Sequence, residues 1–368
     1  MQILYYTSIC LALATVAAAA SSGCGAATPI PLGQRRNATL SSADPAIDNR
    51  TFMYWLPPSY SPDKPNPLIL SFHGGGVNGD RQADQDFFAD ASFNPDHIVV
   101  YPQGLVLDGC NIGVPPTTVW QGLRVLPRYW DDVAFVVALL DHLEQELLCV
   151  DATRVYAAGK SMGGGLADIL ACDERNSGRI AAIAPVAAAF WANVDPRLCA
   201  GPAAELVPVP ACPGKRACPV PVIAFHGRND TTAPFNGGAI TGMDCVPPVQ
   251  RWVEEWAVRD GLDPASPTLE KLPSGDNATV YRYGKSGGEE NKEKDEGLVT
   301  FVMAGDHVNH DWPTTVDYGG TSRVLEPGQG PANFNGTSMM MDFFRKYKVP
   351  YVKLPTFSLL LLRVLIRH

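Results

Sequence analysis

The chain has 368 residues, 46% of them hydrophobic, and a formal net charge of -9 at pH 7. That size supports a large core within one α/β domain, since α/β folds often exceed ordinary domain length. The acidic balance argues against nucleic acid or an anionic membrane as partner, and decides little more.

Ile3 to Ala20 is apolar and ends in Ala18-Ala19-Ala20 before Ser21-Ser22-Gly23. This is the pattern of a secretory leader with a small-residue cleavage site, so residues 1–20 are expected to be a signal peptide. No Lys or Arg stands beside Met1, which leaves an uncleaved anchor as the other reading. Cleavage removes Cys10 and leaves eight of the nine cysteines. In a secreted, extracellular chain that even number reads as up to four disulfides. Cys212 and Cys218 lack the paired spacing and partner histidines of a zinc site, and no metal or organic cofactor is expected. Asn-x-Ser/Thr sequons at Asn37, Asn49, Asn229, Asn277 and Asn335 suit a glycoprotein.

Thr51 to Leu56 alternates and ends at Pro57-Pro58, as an early strand would. Pro67 to Phe72 is a buried-strand run closed by His73-Gly74-Gly75-Gly76, and a second run, His97 to Tyr101, stops at Pro102. Asp80 to Asp90, between them, reads as a helix, and Gly104 to Arg128 as a surface loop near the site. Across Asp131 to Leu148, Val133, Val136, Val137, Leu140, Leu143 and Leu147 recur at helical steps and make one apolar stripe. Later strands are expected at Val155–Ala158, Ile180–Ala189, Val220–Phe225 and Leu298–Met303, with a helix at Val249–Asp260. Short apolar strands alternating with amphipathic helices imply a mainly parallel sheet covered on both faces. Residues 284–297 are rich in glycine and charge. The tail, 350–368, includes an apolar run, Phe357 to Ile366, about half the ~20 residues of a membrane-spanning helix and interrupted by Arg363.

The strand ending at Ala158 runs straight into Gly159-Lys160-Ser161-Met162-Gly163, and a helical segment follows. Strand, sharp turn and helix are the context of a nucleophile elbow, where Gly-x-Ser-x-Gly lifts a serine hydroxyl above the sheet edge. Such a serine needs a base, and the base an orienting carboxylate. In α/β-hydrolases these follow in the order Ser, Asp, His, each after a successive strand. Asp230 lies past the strand ending at Phe225, at a carboxyl edge where open α/β sheets bind ligands. Two histidines follow the strand ending at Met303, His307 and His310, and spacing alone leaves both open as the base. His73 and His226 read as structural groups closing strand ends, His97 and His142 as surface residues. Oxyanion donors are expected from the backbone N–H of Met162 and of Gly74 or Gly75.

Gly159 to Gly165, Ala171-Cys172-Asp173, Arg179 to Pro185, Phe225 to Gly238, Trp252 to Gly261 and His310-Asp311-Trp312-Pro313 together resemble the type C group of secreted fungal feruloyl esterases. Its wider kin are polyhydroxybutyrate depolymerase-like and acetylxylan esterases. The likeness runs from about Cys24 to Tyr347. It implies an α/β-hydrolase fold in one esterase domain, residues 24–349, with Ser161, Asp230 and His310 as the triad. Asn309 stands where that group usually has Gly. The resemblance further implies release of ferulate from arabinoxylan or pectin by way of an acyl-enzyme. The residues by themselves support a serine carboxylic ester hydrolase. The other readings are an acetylxylan or polyester-type esterase on the same triad and a non-catalytic binding protein of hydrolase fold. Filled triad positions weigh against the last.

Overall fold

The computed structural model describes residues 20–108, 116–127, 130–214, 219–240, 244–273, 277–284, 297–320 and 330–349. Most of the expected leader, the charged insert and the apolar tail lie outside these residues.

The strands are β1 (Arg35–Leu40), β2 (Arg50–Trp55), β3 (Asn66–Phe72), β4 (Ile98–Pro102), β5 (Leu105–Leu107), β6 (Thr117–Val119), β7 (Val150–Lys160), β8 (Ile180–Val186), β9 (Val222–His226), β10 (Gly238–Ile240), β11 (Asp244–Val246), β12 (Thr268–Lys271), β13 (Thr279–Tyr283) and β14 (Val299–Met303). Ten of them form one sheet in the order β1-β2-β4-β3-β7-β8-β9-β14-β13-β12. From β4 to β14 neighbouring strands run parallel, while β1, β2, β12 and β13 extend the two edges antiparallel. This is the mainly parallel sheet that the alternating pattern predicts.

The central strands are buried on both faces, so their side chains divide between two cores. Along β3, Leu68, Leu70 and Phe72 enter one core and Ile69 the other, the two-residue period of a strand. The first core is closed by α2 (Asp132–His142), α3 (Met162–Cys172) and α4 (Val249–Arg259), through residues such as Val136, Leu166, Leu170, Trp252 and Trp256. Ala83 of α1 (Gly79–Asp86) and Met340, Met341, Phe343 and Phe344 of α5 (Gly336–Phe344) close the second. Asp131 caps α2 by accepting from the Ala134 N–H at 2.9 Å. The expected stripe then continues through a π turn at Leu143–Leu147 rather than as α-helix to Leu148.

The region 104–128, expected as loop, carries the β5–β6 hairpin among its described residues. The helix expected to reach Asp90 stops at Asp86, and Phe87 turns left-handed. His97, expected at the surface, is buried. Its ring packs beside Tyr156 at 5.7 Å between centroids and its Nδ1 meets Asp96 at 2.9 Å. His142 is half-buried and reaches Glu146 at 3.0 Å. Disulfides join Cys24 to Cys149, Cys172 to Cys212 and Cys199 to Cys245. These bonds fit an oxidising, extracellular compartment. The two remaining cysteines beyond the expected leader, Cys110 and Cys218, lie outside the described residues.

Candidate active site

The elbow between β7 and α3 is built from glycine and crowding. Ser161 sits at φ 56° and ψ -119°, a strained region for a residue with a side chain. The strain is held from both sides: the Ser161 N–H donates to Val186 O at 2.9 Å, and Ser161 O accepts from Gly165 and Ala189 N–H. A Cβ on Gly163 would lie 2.2 Å from Phe72 O. Only a residue without one lets α3 start this close to β3.

The glycine run after β3 approaches the same point. A Cβ on Gly74 would come within 3.4 Å of Ser161 Cβ, and one on Gly75 within 2.8 Å of Met162 Sδ. Met162 opens α3, so its N–H lies in the first turn, where backbone donors lack helical partners. The β5–β6 hairpin fixes this run. Gly76 N–H donates to Thr118 O at 2.8 Å and the Thr118 hydroxyl to Val77 O at 2.6 Å. His73 Nε2 accepts from Gly104 N–H at 3.0 Å, while the Trp120 indole donates to His73 O at 2.8 Å. Burial pushes the His73 imidazole down to about 4, so it stays neutral as a structural acceptor.

Asp230 stands in the turn after β9, with its carboxylate engaged on both oxygens. Oδ1 accepts from the Thr232 and Ala233 N–H groups at 2.9 and 2.8 Å. Oδ2 lies 2.8 Å from His310 Nδ1 and 3.3 Å from His226 Nε2. Burial raises the carboxyl, but the hydrogen bonds from the two imidazoles outweigh it and hold Asp230 well below the usual carboxylate range. His226 closes its strand as expected, its Nε2 meeting Ala233 O at 2.8 Å. Its further contact with Asp230 was not foreseen, although the four-residue spacing carries the signal.

Of the two open histidines, His310 is the one hydrogen-bonded to Asp230; His307 stands three residues earlier in the same segment. Burial lowers the His310 pKa, Asp230 raises it and Lys160 adds to the lowering, with a net shift below the ordinary value. The segment bearing His310 is fastened to the Asp230 turn. A Cβ on Gly227 would lie 2.3 Å from Val308 O, and Asn309 Oδ1 accepts from Thr231 N–H at 3.0 Å. Asn309, the departure in the sequence pattern, therefore serves as a tie between the two loops. Trp312 anchors the other end, donating its indole N–H to Thr337 Oγ1 at 2.9 Å and packing edge-on against Phe88.

Ser161, Met162, Gly74, Gly75 and His310 line one cleft of about 400 Å³. Lys160 and Thr232, next to Ser161 and Asp230 in the chain, line it too, and Arg81, Trp191 and Ile240 join them from segments that no local spacing brings together. Asp230 lies buried behind His310. The arrangement offers a serine hydroxyl, an imidazole fixed by a carboxylate and backbone N–H groups around one apolar-walled space. Among the described residues no cluster of three or more His, Cys, Asp or Glu could hold a metal ion.

No family model matches the chain. It is 27% identical over 271 residues to the probable feruloyl esterase C of Aspergillus niger, covering 72% of this chain and 78% of that protein. It is 28% identical over 234 residues to feruloyl esterase C of Emericella nidulans, covering 62% and 68%. Among solved structures, the acetyl xylan esterase from Aspergillus awamori superposes with a TM-score of 0.51 at 13% identity, over 85% of this chain and 99% of that one, and shares the fold. By sequence likeness across most of its length and by fold, the chain is a feruloyl-esterase-like carboxylic ester hydrolase with the α/β-hydrolase architecture.

Proposed function

We propose that the protein is a secreted feruloyl esterase acting on feruloylated plant cell-wall polysaccharide, with Ser161 as nucleophile, His310 as base and Asp230 as the carboxylate that orients it. The observation that carries this reading is the 2.8 Å hydrogen bond that Asp230 accepts from His310, whose ring lines the same cleft as a serine at φ 56°. The names of the relatives supply the acyl group, and the sequence resemblance supplies the polysaccharide class.

In this reading His310 takes the proton of Ser161 as its oxygen attacks the ester carbonyl. Asp230 holds Nδ1–H and stabilises the imidazolium. The N–H groups of Met162 and of Gly74 or Gly75 receive the developing oxyanion, each such donor contributing about 10²–10³ in rate. His310 then protonates the departing sugar alcohol, and water repeats the cycle on the acyl-enzyme. Residues 24–349 act as one esterase domain after removal of residues 1–20, and no role is given to the tail. N-terminal sequencing of the secreted protein, expected to start at Ser21, checks the cleavage.

The test is initial rates on methyl ferulate, 4-nitrophenyl acetate and 4-nitrophenyl butyrate, with wild type and Ser161→Ala side by side. Ferulate release that disappears in the variant is the expected result. Acetate release without ferulate release would keep the triad and move the acyl group to acetate. A folded wild type that turns over none of the three overturns the hydrolytic reading.

A further inference from the structure

Lys160 precedes the proposed nucleophile and lines its cleft, half-buried. Neighbouring Cα atoms lie about 3.8 Å apart, so its side chain starts beside the reacting serine. Among the described residues its ammonium makes no hydrogen bond or ion pair. An ammonium carries three donors and is strongly hydrated in solution. One that lines a cleft can take an anionic partner there.

A second cation stands beside it. Arg81 lines the same wall, and its guanidinium is anchored on the carbonyls of Tyr318 and Gly319 at 3.0 and 3.2 Å. Asp311 also lines it. It is buried and accepts from the Tyr318 hydroxyl at 3.1 Å. Two cations, Lys160 and Arg81, therefore meet Asp311 in the cleft wall and Asp230 behind it. Burial lowers the Lys160 pKa, Asp311 opposes the shift and Arg81 adds to it; an incoming carboxylate would relieve it. Asp230 is spent on His310, His226 and two backbone N–H groups.

We propose that Lys160 is an anchor for a carboxylate carried by the substrate, and that the preferred esters sit on acidic, uronate-bearing sugar chains rather than neutral ones. This deepens the esterase reading above and rests on it for the position of the reacting ester. A charge-assisted hydrogen bond of this kind is worth about tenfold or more in affinity.

The test has a binding arm that needs no turnover. Trigalacturonate and its methyl-esterified form are titrated calorimetrically into wild type, Lys160→Gln and Lys160→Arg. Wild type is expected to bind the acid about tenfold more tightly than the methyl ester, less so as salt is raised. Lys160→Gln is expected to lose that preference and Lys160→Arg to keep most of it. The kinetic arm compares feruloyl glycolate with feruloyl glycolamide, which differ only in a carboxylate. The acid-to-amide ratio of kcat/KM should fall about tenfold in Lys160→Gln, chiefly through KM, whatever happens to the separate rates. Equal affinity of wild type for the two saccharides, or an unchanged preference in Lys160→Gln, overturns the anchor. Lys160-dependent binding without turnover of either ferulate keeps the anchor and removes the feruloyl esterase reading instead.

Discussion

The Asp230 carboxylate meets four donors, two imidazoles and two backbone N–H groups. This fixes what its substitution should do. In Asp230→Asn the amide oxygen can still accept from Thr232 and Ala233, so the turn should persist. The charge that holds Nδ1–H and stabilises the imidazolium is gone, and kcat should fall about 10⁴-fold. The pH profile gives a second reading of the same pair. His310 must be neutral to take the serine proton. Burial places its pKa below the ordinary histidine value. As pH falls, kcat/KM is therefore lost through that lowered pKa, so the acid limb of wild type should lie below ~6.5. Asp230 raises the His310 pKa, so any residual activity of Asp230→Asn should keep its acid limb at still lower pH. Profiles of kcat/KM against pH for both proteins check this. A wild-type limb at or above the ordinary histidine value, or a wild-type rate in the variant, would break the assignment.

Among the elements, the β7–α3 junction has the least room to change. Gly163→Ala would push a methyl to 2.2 Å from the Phe72 carbonyl oxygen, which is main chain in the strand behind it. Relief needs a shift of β3 or α3, so the destabilisation should exceed about 1–3 kcal/mol and activity should drop with it. Gly178 is the control: an added Cβ there meets nothing within 4 Å, and its Ala variant should unfold like wild type. Thermal melts of the pair decide the point, and a Gly163→Ala protein as stable as the control would rule out the close approach. The same junction marks what could be read along the chain. The strands β3, β4, β7, β9 and β14 announce themselves because burial on both faces makes each a continuous apolar run. Ser161, Asp230 and His310 could be ordered because each follows such a run. The edge strand β1, Arg-Arg-Asn-Ala-Thr-Leu, was hidden because a strand paired on one side and open to water needs no apolar pattern. The three-residue strands β5 and β6 were too short to show a period. His97 looked exposed by type, yet β4 and Tyr156 bury it. Arg81, Trp191 and Ile240 meet at the cleft through tertiary contacts alone, and no local spacing encodes them.

At the scale of the molecule, the proposed catalytic groups and the cleft walls have different supports. Ser161, Asp230 and His310 follow β7, β9 and β14, strands of one parallel run in which β8 joins β7 to β9 and β9 pairs directly with β14. Trp191 and Ile240 belong to the two connections flanking β9, outside that sheet. Those connections are tied by the Cys199–Cys245 disulfide, by Ala192 N–H donating to Cys245 O at 3.0 Å, and by Asp244, which accepts from the Val194 and Arg124 N–H groups at 3.0 and 3.1 Å. The Cys172–Cys212 bond fastens the first connection again, to the end of α3. Disulfides here hold walls rather than the proposed triad. Replacing Cys199 and Cys245 together by alanine releases a span of 46 residues, for which the loop-entropy model gives about 4 kcal/mol. A lowered melting temperature is therefore expected. The more telling expectation is a split in kinetics. KM for a bulky aryl ester should rise several-fold as Trp191 and Ile240 lose their fixed places, while kcat changes less, because the strand ends that carry the triad are untouched. Michaelis curves on methyl ferulate, taken well below the melting temperature of the variant, measure the split. A fall in kcat with KM unchanged would mean that these two connections position the catalytic groups themselves, and that sheet and connections are one mechanical unit.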